Sequence, residues 1–165
     1  MEIRVTDGDL LDQDVDVIVN AWNRNIIPWW LLLPQGVSGA IKRRAGYEPF
    51  RELGRKGAIR LGGAVETCAG RLPFRGIIHV AGISIFWQSS ERAIRSCVRS
   101  ALAIAHERGY RSIAFPLIGA GTGGFSPERA LDIMQDETRK FDYDGEVELS
   151  RFAEGLFAGA SFFIP

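Results

Sequence analysis

The segment that most narrows the possible folds is Ala114-Phe115-Pro116-Leu117-Ile118-Gly119-Ala120-Gly121-Thr122-Gly123-Gly124-Phe125. The apolar run Ser112 to Ile118 reads as a buried strand. It passes through a turn with four glycines into a helix opened by Ser126-Pro127-Glu128. That opening has a capping hydroxyl, a proline at the first helical position and an acid suited to the helix dipole. Upstream, Ser90 to Arg108 is the clearest helix. Ala93, Cys97, Ala101, Ile104 and Ala105 recur at helical spacing, Ser90 can cap the start and Gly109 marks the stop. Gly76 to Phe86 before it reads as a deep strand, and Glu146 to Phe152 as a last one, after a helix running to about Phe141. Strand, helix, strand, helix, strand calls for parallel pairing with right-handed crossovers, an α/β sandwich.

The first half adds strands at Ile3 to Val5, Val15 to Asn20 and Ala64 to Thr67, and a helix at Ser38 to Ala45. No repeat or linker divides the chain, and 165 residues suit one domain. We place the domain at 1–152 and leave 153–165 without an assigned structure. Twenty basic residues balance twenty acidic ones, so no global field draws the chain to nucleic acid or a membrane. The longest uncharged stretch, Asn25 to Ile41, is interrupted by Pro34, Gln35 and Gly36 and suits no bilayer span. Two cysteines (Cys68, Cys97) and two histidines (His79, His106) offer neither a disulfide framework nor a metal site. The expected setting is reducing and cytoplasmic, the expected state monomeric, and no cofactor is implied.

Ligands of open α/β sheets bind at the strand ends, and glycines there let backbone N–H groups close around an anion. Four glycines beside a helix start therefore favour phosphate binding over a tight turn alone. The same turn spells Gly-x-Gly-x-x-Gly, which raises a dinucleotide-dependent oxidoreductase with Asp142 or Asp144 as the ribose acid. Only about forty residues follow the turn, too few for that architecture's second half. A second clue is Val15-Asp16-Val17-Ile18-Val19-Asn20-Ala21-Trp22-Asn23, where a strand ends in two amides suited to sugar hydroxyls.

With Asp7-Gly8-Asp9-Leu10, Gly36-Val37-Ser38-Gly39-Ala40-Ile41, Gly62-Gly63-Ala64-Val65, Leu72-Pro73, Ile77-Ile78-His79-Val80 and Ser112-Ile113-Ala114-Phe115-Pro116, this ordered set resembles the macrodomain family of ADP-ribose-binding modules. The resemblance covers roughly residues 1 to 152 and implies a three-layer α/β/α fold with a mixed, about six-stranded sheet. It implies ADP-ribose across the strand ends and mono-ADP-ribosylated proteins as partners. Asp9 then accepts from the adenine amino group beside the Leu10 backbone, and Phe152 stacks on adenine. Asn20 and Asn23 face the ligand, with Asn23 holding the distal ribose. Gly36, Val37, Ser38 and Gly39 form one diphosphate loop and Gly119, Ala120, Gly121, Thr122 and Gly123 the other, with Phe125 near the distal ribose.

Two departures bear on activity. Ser38 occupies the place where many hydrolases of the family have an aspartate, and the lysine used by another branch has no counterpart near Ser84. The reaction the resemblance implies is hydrolysis of mono-ADP-ribose from modified proteins, ester-linked at Glu or Asp, by water at the anomeric carbon. Asn23, Ser38 and Gly121 are its candidate catalytic positions. A non-catalytic ADP-ribose reader and an O-acetyl-ADP-ribose deacetylase are the alternatives. Read locally, Ser38 is an N-cap and His79 a bonded core residue. The seven basic residues between Lys42 and Arg60 read as a solvated helix face plus loop, with a docking surface for an acidic target as the alternative, and Trp29-Trp30-Leu31-Leu32-Leu33 as a buried wall or lid over the site or an oligomer contact.

Overall fold

The computed structural model describes residues 1–31, 36–121 and 123–151. Six strands form one sheet: β1 (Glu2–Asp7), β2 (Val17–Trp22), β3 (Ala64–Thr67), β4 (Gly76–Ala81), β5 (Ser112–Pro116) and β6 (Glu146–Arg151). Their spatial order is β1-β6-β5-β2-β4-β3, and every pairing is parallel except that of edge strand β3 with β4. Among the described residues four helices cover the sheet: α1 (Gly36–Ala45), α2 (Glu48–Arg55), α3 (Glu91–Glu107) and α4 (Pro127–Arg139).

Alternation along the central strands separates the two faces. Val17 and Val19 of β2 and Ile78 and Val80 of β4 join α3 and α4 in one core, with Phe115 and Leu149. Ile18 and Trp22 of β2 and Ile77 of β4 pack instead with Ile41 of α1 and Phe50 and Leu53 of α2. The result is the expected three-layer arrangement. It also dictates that Asn20 and His79, in register on neighbouring strands, lie on the α1/α2 side.

Helix α3 starts as expected, with Ser90 accepting from the Ala93 amide, and Ser126 caps α4 through the Arg129 amide. Three local readings change. The strand expected over Gly76 to Phe86 stops at Ala81, and Ile83 to Phe86 leave the sheet as a loop. Helix α2, with Pro49 in its first turn, arises within the basic stretch as a second, separate helix that the sequence reading does not anticipate. Ser38 is not a cap: it sits inside α1, and its hydroxyl donates across to β2.

Candidate functional site

Because five strands run parallel, the carboxyl ends of β2, β4 and β5 converge on one rim, the position where α/β sheets bind ligands. A cavity of about 540 Å³ opens there, floored by Ala21, Trp22, Gly82 and Pro116. One wall is Gly36, Val37 and Ser38 at the start of α1; the other is Gly119, Gly121 and Gly123. Among the described residues that line it, none is charged.

The first amides of any α-helix lack intrahelical partners and carry the positive end of its dipole. Helices α2, α3 and α4 each place a glutamate in that turn (Glu48, Glu91, Glu128); α1 has no acid there, and its last turn holds Lys42, Arg43 and Arg44. The helix whose start borders the cavity thus keeps its positive end uncompensated by its own side chains. Opposite, the amides of Gly119, Gly121 and Gly123 donate to no carbonyl among the described residues.

The glycine turn is held rather than loose. Gly119 O accepts from Phe125 N at 3.0 Å, Gly123 O accepts from Ser89 N at 3.1 Å, and Ser89 Oγ donates to Gly82 O at 2.8 Å. Ser89 therefore joins the loop after β4 to the turn after β5, a role that nothing local in the sequence advertises. Gly119 adopts φ +86°, and a Cβ at Gly123 would meet the Gly119 carbonyl oxygen at 2.8 Å. A Cβ at Gly121 meets nothing within 4 Å. Turn geometry demands the outer two glycines; the middle one leaves space beside the cavity.

Behind Ser38 lies a buried polar chain. Its hydroxyl donates to Asn20 Oδ1 at 2.6 Å, with Ala21 O a longer acceptor at 3.1 Å. Asn20 Nδ2 then donates to His79 Nδ1 at 3.0 Å, which puts the imidazole proton on Nε2 for Thr67 Oγ1 at 2.8 Å. Thr67 in turn donates to Cys68 O at 3.0 Å. Burial, reinforced by the Lys56 charge, pushes the His79 pKa down to about 3, so the ring is neutral and its tautomer is set by its neighbours. Since Ser38 spends its one proton inward, it offers acceptor lone pairs to whatever enters the cavity.

The other expected residues are distributed as follows. Asn20 is fully buried and its amide is committed to Ser38 and His79, so it supports the cavity wall rather than lining it. Gly39 is buried within α1. Asn23 lines a smaller pocket of about 140 Å³ with Ile26, Ile27, Ile85 and Trp87; its carbonyl accepts from Asn25 N at 2.6 Å. Its amide N–H₂ donates to no partner among the described residues. Asp9 caps the turn Leu10–Asp12 by accepting from Leu11 N at 2.9 Å and pairs with Arg44 at 3.4 Å, while Leu10 is buried beneath. Ala120 continues the glycine turn, donating to Leu117 O at 3.3 Å. Phe125 is partly buried against the α3/α4 core, and its main-chain amide donates to Gly119 O at 3.0 Å. Thr122 and Phe152 lie outside the described residues. Sequence reasoning missed Trp22, Gly82 and Ile83 on the cavity lining; Gly82, directly after a strand end, was the available signal. Among the described residues no group of three or more metal-ligating side chains converges.

The Macro domain family model matches residues 19–134. A macro domain-containing protein of Listeria monocytogenes is 39% identical over 163 residues, spanning 92% of this chain and 89% of its own. An uncharacterized protein of Aquifex aeolicus is 38% identical over 143 residues, with 86% and 84% covered. Among solved structures, the Trypanosoma brucei macrodomain in complex with ADP-ribose matches with a TM-score of 0.81 at 31% identity, covering 93% of this chain and 65% of that one. A mutant Oceanobacillus iheyensis macrodomain with ADPR matches at 0.78 and 28% identity, covering 92% and 85%.

Proposed function

The chain belongs to the macrodomain family, and from that premise we propose that its rim cavity binds ADP-ribose and releases mono-ADP-ribose from proteins modified at Glu or Asp. One observation carries this reading. Among the described residues, two walls of main-chain amides without partners face each other across a cavity with no charged lining, one of them the start of α1, which carries no acid in its first turn. A diphosphate is a doubly anionic group of the right chemistry for such a slot. The relatives solved with ADP-ribose and ADPR support the choice of ligand.

In the proposed reaction, water attacks the anomeric carbon as the ester C–O bond breaks and the carboxylate departs with the bonding pair. The water proton passes to a phosphate oxygen or to solvent. Such oxocarbenium-like chemistry asks chiefly for placement, which supplies up to roughly 7–11 kcal/mol in the best cases. Ser38 accepts a hydrogen bond from the water and thereby aims its lone pair. Asn23 donates its free amide hydrogens to the ribose hydroxyls.

No carboxylate or imidazole lines the cavity among the described residues, an observation that favours the second reading, a non-catalytic ADP-ribose reader. Calorimetry with ADP-ribose, NAD and AMP tests the ligand: ADP-ribose gives the largest affinity if the cavity is assigned correctly, and no heat with ADP-ribose ends both readings. Turnover of ester-linked ADP-ribosyl peptide then separates them. Replacing Ser38 by alanine lowers the rate on the order of tenfold while affinity changes little, if Ser38 aims the water. Intact substrate after hours with the unaltered protein leaves the reader.

A further inference from the structure

The loop after β2 carries a surface that the cavity does not use. Trp29 packs closely on α2 at Gly54, where a Cβ would come within 3.1 Å of its indole ring. Lys42 Nζ donates to the Trp29 carbonyl at 3.0 Å and sits 5.3 Å from its ring centre. Asn25 Nδ2 donates to Leu53 O and Gly57 O, both at 2.8 Å, fastening the same loop to the end of α2. So anchored, the loop still leaves Trp30 67% exposed, against the expectation of a buried wall over the site. Between this loop and α2 runs a groove of about 490 Å³ lined by Trp29, Trp30, Pro28, Arg51 and Arg55 among others, none of them acidic. Arg51 and Arg55 have no ion-pair partner among the described residues. Glu52, the acid between them, turns away to Cys68 N at 2.8 Å and to Lys56.

The groove continues toward the cavity. Ile26 and Ile27 line both it and the small pocket that holds Asn23. Across that pocket the loop after β4 presents Ile85 and Phe86, 60% and 75% exposed. Trp87 beside them is held at φ +60°, a conformation that costs a bulky residue roughly 1–3 kcal/mol. Anchored aromatic and arginine side chains presented without ordering cost are the composition of a protein-binding centre.

We infer that this groove docks the acidic, apolar-anchored polypeptide segment flanking the ADP-ribosylated residue. The inference rests on the proposed function, because it needs the distal ribose, and so the attached side chain, to emerge beside Asn23. Apolar side chains of the segment bury against Trp30 and Pro28, while its carboxylates meet the unpaired Arg51 and Arg55. The modified side chain itself is neutral once esterified, so the acids that meet the arginines are those of neighbouring positions.

The test compares free ADP-ribose with two peptides that carry ADP-ribose on one glutamate, one with acidic and one with glutamine flanks. Each displaces a fluorescent ADP-ribose probe, read before turnover. The acidic peptide is expected to bind roughly tenfold more tightly than free ADP-ribose. That advantage disappears in an Arg51→Glu/Arg55→Glu double variant, in Trp30→Ser and at about 0.5 M salt. Free ADP-ribose binds all variants equally, and its failure to bind the unaltered protein would count against the proposed function instead. Equal affinity of the acidic and glutamine-flanked peptides overturns the inference, as does an advantage that survives the double variant. A dimer in sedimentation that Trp30→Ser dissociates also overturns it, because the groove would then belong to a second copy.

Discussion

Gly121 and Gly123 stand two residues apart and answer to different demands. Valine at 123 drives a Cβ into the Gly119 backbone, and we expect a stability loss of about 1–3 kcal/mol by urea denaturation. A Cβ at 121 meets nothing within 4 Å, so the melting temperature of the valine variant should hold while ADP-ribose affinity falls roughly tenfold or more. Equal losses of stability at both positions would show that 121 also serves the turn. His79 makes a separate prediction. Its folded pKa is depressed to about 3 from 6.5, so the unfolded chain binds its proton first as pH falls. Stability tied to the neutral ring is full above pH 6.5 and is lost between there and about 3, with a slope approaching ~1.4 kcal/mol per pH unit. Denaturation of His79→Gln from pH 7 to 4 should show a shallower pH dependence than the parent. The role of Ser38 could not be read from its neighbours in the chain. A hydroxyl near a helix start is normally a local cap, whereas its acceptor, Asn20, is brought by a different strand.

At the scale of elements, legibility followed how local the cause was. Helices α3 and α4 were readable because cap, apolar spacing and stop lie within one segment. Helix α2 was not, since it lacks a side-chain cap and its short apolar face (Phe50, Leu53) shows only against β2 and β4. The strand at β4 was overread because apolarity continues past Ala81, where Ile85 and Phe86 are apolar and exposed. Parallel pairing could be inferred from the alternation of elements, but not the strand order or the reversed edge strand β3. Between α3 and α4, Arg95 meets Glu91 at 2.7 Å, Asp136 at 2.5 Å and Glu137 at 3.1 Å, and Glu137 is only 4% exposed. Arg95→Ala leaves that carboxylate to Arg99 alone, and a loss of about 1–3 kcal/mol is expected in thermal or urea unfolding. Because its other contacts are solvent-facing, the loss should shrink in high salt.

For the molecule as a whole, a ligand that binds only the folded state adds stability by mass action. ADP-ribose at a hundredfold excess over its dissociation constant should stabilise the protein by about 2.7 kcal/mol, with a melting temperature that climbs with ligand concentration. AMP at the same concentration should shift it less, because the two amide walls would lack their diphosphate. A protein whose melting point ignores ADP-ribose would have a cavity built for something else.

Strand β6 lies between β1 and β5, so the opening residues of the chain find their hydrogen-bonding neighbour only at residues 146–151. During synthesis on the ribosome the segment Glu2–Asp7 is therefore made before the other five strands and waits for β6, the last of the six to be made, while β2 and β4 can already zip together. Interruption of translation before Glu146 leaves both flanks of that ribbon open to intermolecular pairing, whereas the finished sheet covers the flank that meets β6 and keeps β1 as an edge strand.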